Sequence, residues 1–210
     1  QVADKKQALI KLSQLINSSG ISASEQVKIL IQRGKTFFFL HQYAQGIEAV
    51  QQGKQIAEQT GLSHLTAQAN KMLGVLFYYQ GELKKALQAY QASLVFYTNH
   101  PDTDSSTFAI DRANLLNNIA LVYTSLGQSD LVLLNYQQAE PLYARYGNEE
   151  DKIDVRYNIA VLHISLQRFD SAIDMLKVII KKRQVLKDDH GVATARADLG
   201  LAFKHSGQFE

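Results

Sequence analysis

The 210 residues are 46% hydrophobic and 20% charged with a net charge of +2, the balance of a chain that can bury a core and not of a disordered one. Residues 1–100 hold ten Lys/Arg against five Asp/Glu and residues 101–210 twelve against fifteen, too mild an asymmetry to mark a nucleic-acid binder. The lack of cysteine excludes disulfides, thiolate metal sites and a thiol nucleophile, and runs such as TFFFL and GVLFYY fall far short of the roughly 20 apolar residues of a membrane-spanning helix.

Only two prolines and no tryptophan lean the composition toward helix. Residues 4–16 form the first amphipathic element, with Ala8, Leu9, Leu12, Leu15 and Ile16 inward and NSSG closing it, and it is expected to cover the first of a series of repeats. From there one pattern recurs: QRGKTFFFLHQYAQGIEAVQQGK (32–54), KMLGVLFYYQGELKKALQAYQAS (71–93), NNIALVYTSLGQSDLVLLNYQQA (117–139) and YNIAVLHISLQRFDSAIDMLKVI (157–179) align. ADLGLAFKHSGQFE (197–210) is a fifth copy that stops after its first helix. Each copy reads as two helices joined by a turn, because apolar residues fall at spacings of three and four on both sides of it. No strand is expected, so the fold class is all-α.

The first helices carry a small residue at Gly34, Gly74, Ala120, Ala160 and Gly200, at intervals of 40, 46, 40 and 40 residues. An aromatic ring or His comes next at Phe37, Phe77, Tyr123, His163 and Phe203, and the turn falls at His41, Gly81, Gly127, Gln167 and Gly207. The second helices open with Gly46, Ala86, Val132 and Ala172, followed by a bulky residue at Val50, Tyr90, Tyr136 and Leu176. Small residues let paired helices approach and the large residue fills the gap, so Gly34, Gly74 and Gly200 are expected at close contacts. The one longer linker, YTNHPDTDSSTF (97–108), predicts a loop and then a helix capped by Asp104 or Ser105. Pro141 is expected to kink its helix or end it early. The start at Gln1 and the stop in KHSGQFE lead to the expectation of a piece of a longer protein.

Residues able to do chemistry are scattered. The six histidines include no pair at a helical ligand spacing, and His163 reads as a satisfied imidazole in an aromatic packing position. DDH (188–190) reads as the polar start of the last helix, KKRQVLK (181–187) as a solvated face near a helix C-terminus, and Glu149-Glu150-Asp151 as acids suited to a helix start. No catalytic residue, metal site or cofactor is expected.

The ladder of small, aromatic, turn and small residues resembles the tetratricopeptide repeat family over about residues 24–210. The repeat is nearer 40 residues than the family's roughly 34, and the Trp often found early in the first helix is absent. The resemblance implies a capping helix (1–23), repeats at 24–62, 63–100, 101–148 and 149–189, and the first helix of a fifth at 190–210. It further implies a superhelix of stacked hairpins whose first helices line a concave groove. Mapped onto this chain, the groove presents Lys28, Lys35, Phe38, Lys71, Tyr78 and Tyr79, then Asn114, Asn117 and Tyr157. An extended protein or peptide segment is the expected partner, its carboxylates meeting the lysines and its body lying on the tyrosines. Chaperone tails are not expected, because Ile31, Met72 and Asn118 stand where the family's carboxylate-clamp residues fall.

In texture the chain looks like the repeat regions ahead of bacterial diguanylate cyclase (GGDEF) or histidine kinase output domains. That likeness implies a non-catalytic sensory region, outside the cytoplasmic membrane, with homodimer contacts as one way to signal. The alternatives are the superhelix of a cytoplasmic peptide-responsive transcriptional regulator and a pure assembly adaptor. Neither nucleic-acid binding nor membrane insertion by this segment is expected.

Overall fold

The structure is a computed structural model that describes residues 2–16, 18, 20–100 and 105–207. Among the described residues it contains ten α-helices and no strand. They are α1 (Val2–Ile16), α2 (Ala23–Phe39), α3 (Tyr43–Gln59), α4 (Ser63–Tyr79), α5 (Leu83–Asn99), α6 (Ser106–Ser125), α7 (Ser129–Tyr146), α8 (Glu149–Ser165), α9 (Phe169–Val185) and α10 (Asp189–Ser206). They divide between two compact units, Gln1–Asp104 and Ser105–Glu210. Within each, helices pair as antiparallel hairpins that stack on their neighbours in an all-α solenoid: α2 with α3 and α4 with α5 in the first, α6 with α7 and α8 with α9 in the second, where α10 packs on α9.

The repeat dictates where the backbone turns. All five aligned turn positions have positive φ: His41 58°, Gly81 84°, Gly127 70°, Gln167 59° and Gly207 76°. Glycine enters this left-handed region without steric cost, whereas His41 and Gln167 are held there by the hairpins on either side.

The close contacts fall where the small residues are. A Cβ at Gly34 would overlap the Val50 methyl, one at Gly74 would overlap the Tyr90 ring, and one at Gly46 would stand 2.8 Å from Leu76. In the second unit Ala160 is fully buried in one cluster with Leu176, Ile179 and Ala195. Gly200 departs from the expectation: it is exposed, and a Cβ there would meet nothing within 4 Å.

The remaining helix ends and faces refine the sequence reading. Ser105, not Asp104, caps α6, its Oγ accepting from the Phe108 N–H at 3.3 Å; Asp104 lies outside the described residues. Ser22 and Glu25 form a reciprocal capping box at α2, and these hydrogen bonds lower the Glu25 pKa. α7 does not end at Pro141 but continues to Tyr146. Gln137, whose carbonyl loses its helical donor there, is on the exposed side, where water can replace it. α1 packs on α2 as expected, yet none of its residues is buried and Leu15 is 51% exposed instead of facing inward.

Candidate partner-binding surfaces

In the first unit the parallel helices α2 and α4 present their C-terminal turns side by side. Phe38, Phe39, Tyr78 and Tyr79 come to that edge, and Tyr43 joins them from the start of α3. The rings pack edge to face: Phe38 lies 4.8 Å from Tyr79, Phe38 5.3 Å from Phe39, and Tyr78 5.5 Å from Tyr79. Tyr43 lies 6.1 Å from both Phe38 and Tyr79, and its hydroxyl is 3.0 Å from His41 Nδ1. Such pairs stabilise one another beyond simple burial. They nevertheless leave Phe39 48% and Tyr79 55% exposed, more than hairpin packing requires.

The lysines of the sequence reading lie along the same helices. Lys28 and Lys35 are exposed on α2, Lys35 one turn before Phe39, and Lys71 is half-buried on α4, two turns before Tyr79. A further cation arrives from α1, where Lys5 Nζ stands 4.7 Å from the centre of the Phe39 ring. Tyr43 and Lys5 are members that the alignment of first helices did not single out, because they sit on other helices.

In the second unit each expected groove residue has an intramolecular hydrogen-bond partner. Asn114 Oδ1 accepts from the Tyr143 hydroxyl at 2.7 Å, and Asn117 Oδ1 accepts from Asn158 Nδ2 at 2.9 Å. The Tyr157 hydroxyl donates to Asp198 at 2.5 Å, and burial together with that bond pushes its pKa up to about 12. Arg183 lies over the Tyr157 ring at 5.0 Å and binds Asp154 at 2.9 Å and Asp188 at 3.1 Å. The expectation of a solvated 181–187 face therefore fails at Arg183, whose side chain is only 11% exposed. Burial raises the Asp154 pKa although Arg183 opposes the shift. These contacts tie α8, α9 and α10 together, and Asp188 also caps α10 by accepting from the Gly191 N–H at 2.8 Å.

His163 is also not the satisfied imidazole expected. Its Nδ1 is buried without a hydrogen-bond partner, and desolvation, with the Arg168 charge adding to it, lowers its pKa. No group of acids and histidines able to hold a metal ion occurs among the described residues, and no described helix is long and apolar enough to cross a membrane.

Comparison with known proteins bears on this architecture. Residues 25–99 match the tetratricopeptide repeat family. No curated protein matches the chain. Among solved structures, BtubC (BKLC) from P. vanneervenii is 19% identical with a TM-score of 0.80, covering 100% of this chain and 84% of that one. A signal transduction ATPase with numerous domains and a tetratricopeptide repeat sensor, from Pyrococcus horikoshii, is 13% identical with a TM-score of 0.83, covering 95% of this chain but 30% of that one. The Rap conjugation gene regulator of plasmid pLS20, in complex with the Phr* peptide, is 13% identical with a TM-score of 0.67, covering 91% and 53%. At these identities the likeness is one of fold, and it agrees with the hairpin ladder of both units: residues 25–99 match the tetratricopeptide repeat family, and the chain has a tetratricopeptide-like all-α fold.

Proposed function

We propose that the chain is a non-catalytic scaffold that binds an acidic, extended protein or peptide segment on the first unit's aromatic and lysine-bearing face. The observation that carries the reading is the ring cluster of Phe38, Phe39, Tyr78 and Tyr79, in which Phe39 and Tyr79 stay about half exposed, with Lys35 one turn away and Lys28 further back along α2, since the hairpins need neither that exposure nor that charge. Rigid rings supply contact area at small entropic cost, and the lysines select carboxylates. The Rap regulator crystallised with a peptide supports a peptide as one form of the partner. The chain would serve as the sensory or interaction region of a larger signalling protein of the diguanylate cyclase or histidine kinase type; an output domain in the full-length sequence is the check on that point.

An immobilised set of ten-residue peptides, half rich in Asp/Glu with an aromatic residue and half rich in Lys/Arg, tests the reading. The acidic set should retain the protein, and replacing Lys35, Lys71 and Tyr78 together should release it while circular dichroism shows the helices still folded at the assay temperature. Equal retention by both sets, or unchanged retention of the triple variant, overturns the assignment.

A second reading, a peptide-responsive regulator, is favoured by the same Rap likeness. It differs in that free short peptides would bind as tightly as the same segment within a folded protein.

A further inference from the structure

Successive second helices in each unit leave a cleft floored by the next first helix. In the first unit it runs between α3 and α5 over α4, has a volume of 340 Å³ and is lined largely by small or polar side chains, among them Ser63, Thr66, Ala67 and Asn70. Ser93 Oγ donates to the Ala67 carbonyl across its floor at 2.8 Å. The equivalent cleft of the second unit, between α7 and α9 over α8, has different chemistry. Ile153 replaces Ala67, Val178 replaces Ala92 and Ile179 replaces Ser93. Larger apolar side chains have not closed it: a cavity of 380 Å³ lined by Ile153, Met175, Val178 and Ile179 remains, and a second of 220 Å³ shares Glu140, Arg156 and Lys182 with it.

The lip has changed in parallel. Where the first unit has Thr66, Asn70 and Phe96, the second has Lys152, Arg156 and Lys182. Glu140 takes Arg156 at 3.2 Å, whereas Glu149 takes Lys152 at 2.9 Å and lies 3.7 Å from Lys182. Lys182 is thus held only at long range, by a carboxylate that Lys152 already engages. At the other end of the cavity, two turns and about 12 Å back along α9, Asp174 has no ion-pair partner among the described residues. The cleft is therefore apolar along its length, with an excess of one positive charge at one end, where Lys152, Arg156 and Lys182 face Glu140 and Glu149, and an acid at the other.

We propose that this cleft binds a small amphiphilic carboxylate. The apolar body lies along Ile153, Met175 and Val178, the carboxylate meets Lys182 and Arg156, and Asp174 repels the reverse orientation. The volume falls within the roughly 300–1,000 Å³ of small-molecule sites, and charge-assisted bonds to the two cations supply the head-group preference. The site is separate from the first unit's aromatic face, so the two readings stand or fall independently.

Calorimetric titration of the 210-residue protein with dodecanoate, below its micelle concentration, tests the proposal, with dodecanol and dodecylammonium as matched probes. Dodecanoate should bind saturably at one site, about tenfold or more tightly than either control. Lys182→Glu should remove most of that preference. Val178→Trp, at a residue that is 50% exposed and so free to change without unfolding the unit, should fill the cleft and abolish binding. Absence of saturable binding by dodecanoate, equal binding of dodecanoate and dodecanol, or an affinity untouched by both substitutions overturns the proposal.

Discussion

Gln167 illustrates how a repeat imposes geometry on a residue that does not favour it. Its φ of 59° is the left-handed value that Gly81, Gly127 and Gly207 supply at the aligned turns. A side chain there costs roughly 1–2 kcal/mol, partly offset in a glycine variant by the greater entropy of its unfolded chain. Gln167→Gly should therefore stabilise the second unit by about 0.5–1 kcal/mol, read as a higher denaturation midpoint at unchanged m-value. His163, at the start of the same turn, makes the opposite kind of compromise. Its pKa is lowered by desolvation, so the folded state takes up its proton at lower pH than the unfolded chain, which does so as pH falls through the ordinary histidine value near 6.5. Folding stability should drop over that interval. His163→Phe, which restores the aromatic type of Phe37, Phe77 and Phe203, should flatten the loss of melting temperature between about pH 7.5 and 5. A variant that loses as much as the parent would show that this imidazole is not the titrating group.

At the scale of the element, periodic features were legible in the sequence and contacts between non-equivalent positions were not. Spacing and the turn ladder place the hairpins, because close approach needs a small residue opposite a large one in every copy, as Gly34 with Val50 and Gly74 with Tyr90 show. Arg183 obeys no such rule. Its partners Asp154, Tyr157 and Asp188 come from α8 and the α9–α10 turn, so a run of basic residues looks solvated until the helices are assembled. The aromatic edge was half legible: Tyr78 and Tyr79 stand out on α4, but Tyr43 joins them only through the hairpin geometry. Pro141 lay between the two cases, since the sequence marks a lost hydrogen bond but does not show that Gln137 faces water, where the loss is tolerable. Pro141→Ala should restore the amide donor within α7 and stabilise the second unit by about 1–3 kcal/mol. An unchanged midpoint would mean that the proline is already accommodated by other contacts.

For the whole molecule, the consequence of a solenoid is that stability is assembled from neighbours. The packing partners of each helix are adjacent in sequence or one helix removed, as with α2 and α4 or α8 and α10, so a fault in one hairpin acts first on the hairpins beside it. Gly34→Ala makes this measurable. The added methyl would overlap Val50, which is fully buried and cannot swing away, and overpacking of this kind costs about 1–3 kcal/mol. Hydrogen exchange should then show reduced protection in α2 and α3 and, through the Leu76 contact with Gly46, in α4, while amides of α8, α9 and α10 keep their rates. Equal loss of protection in all of these helices would instead mean that the two units open as one cooperative block, and that their division into separate compact units has no thermodynamic counterpart.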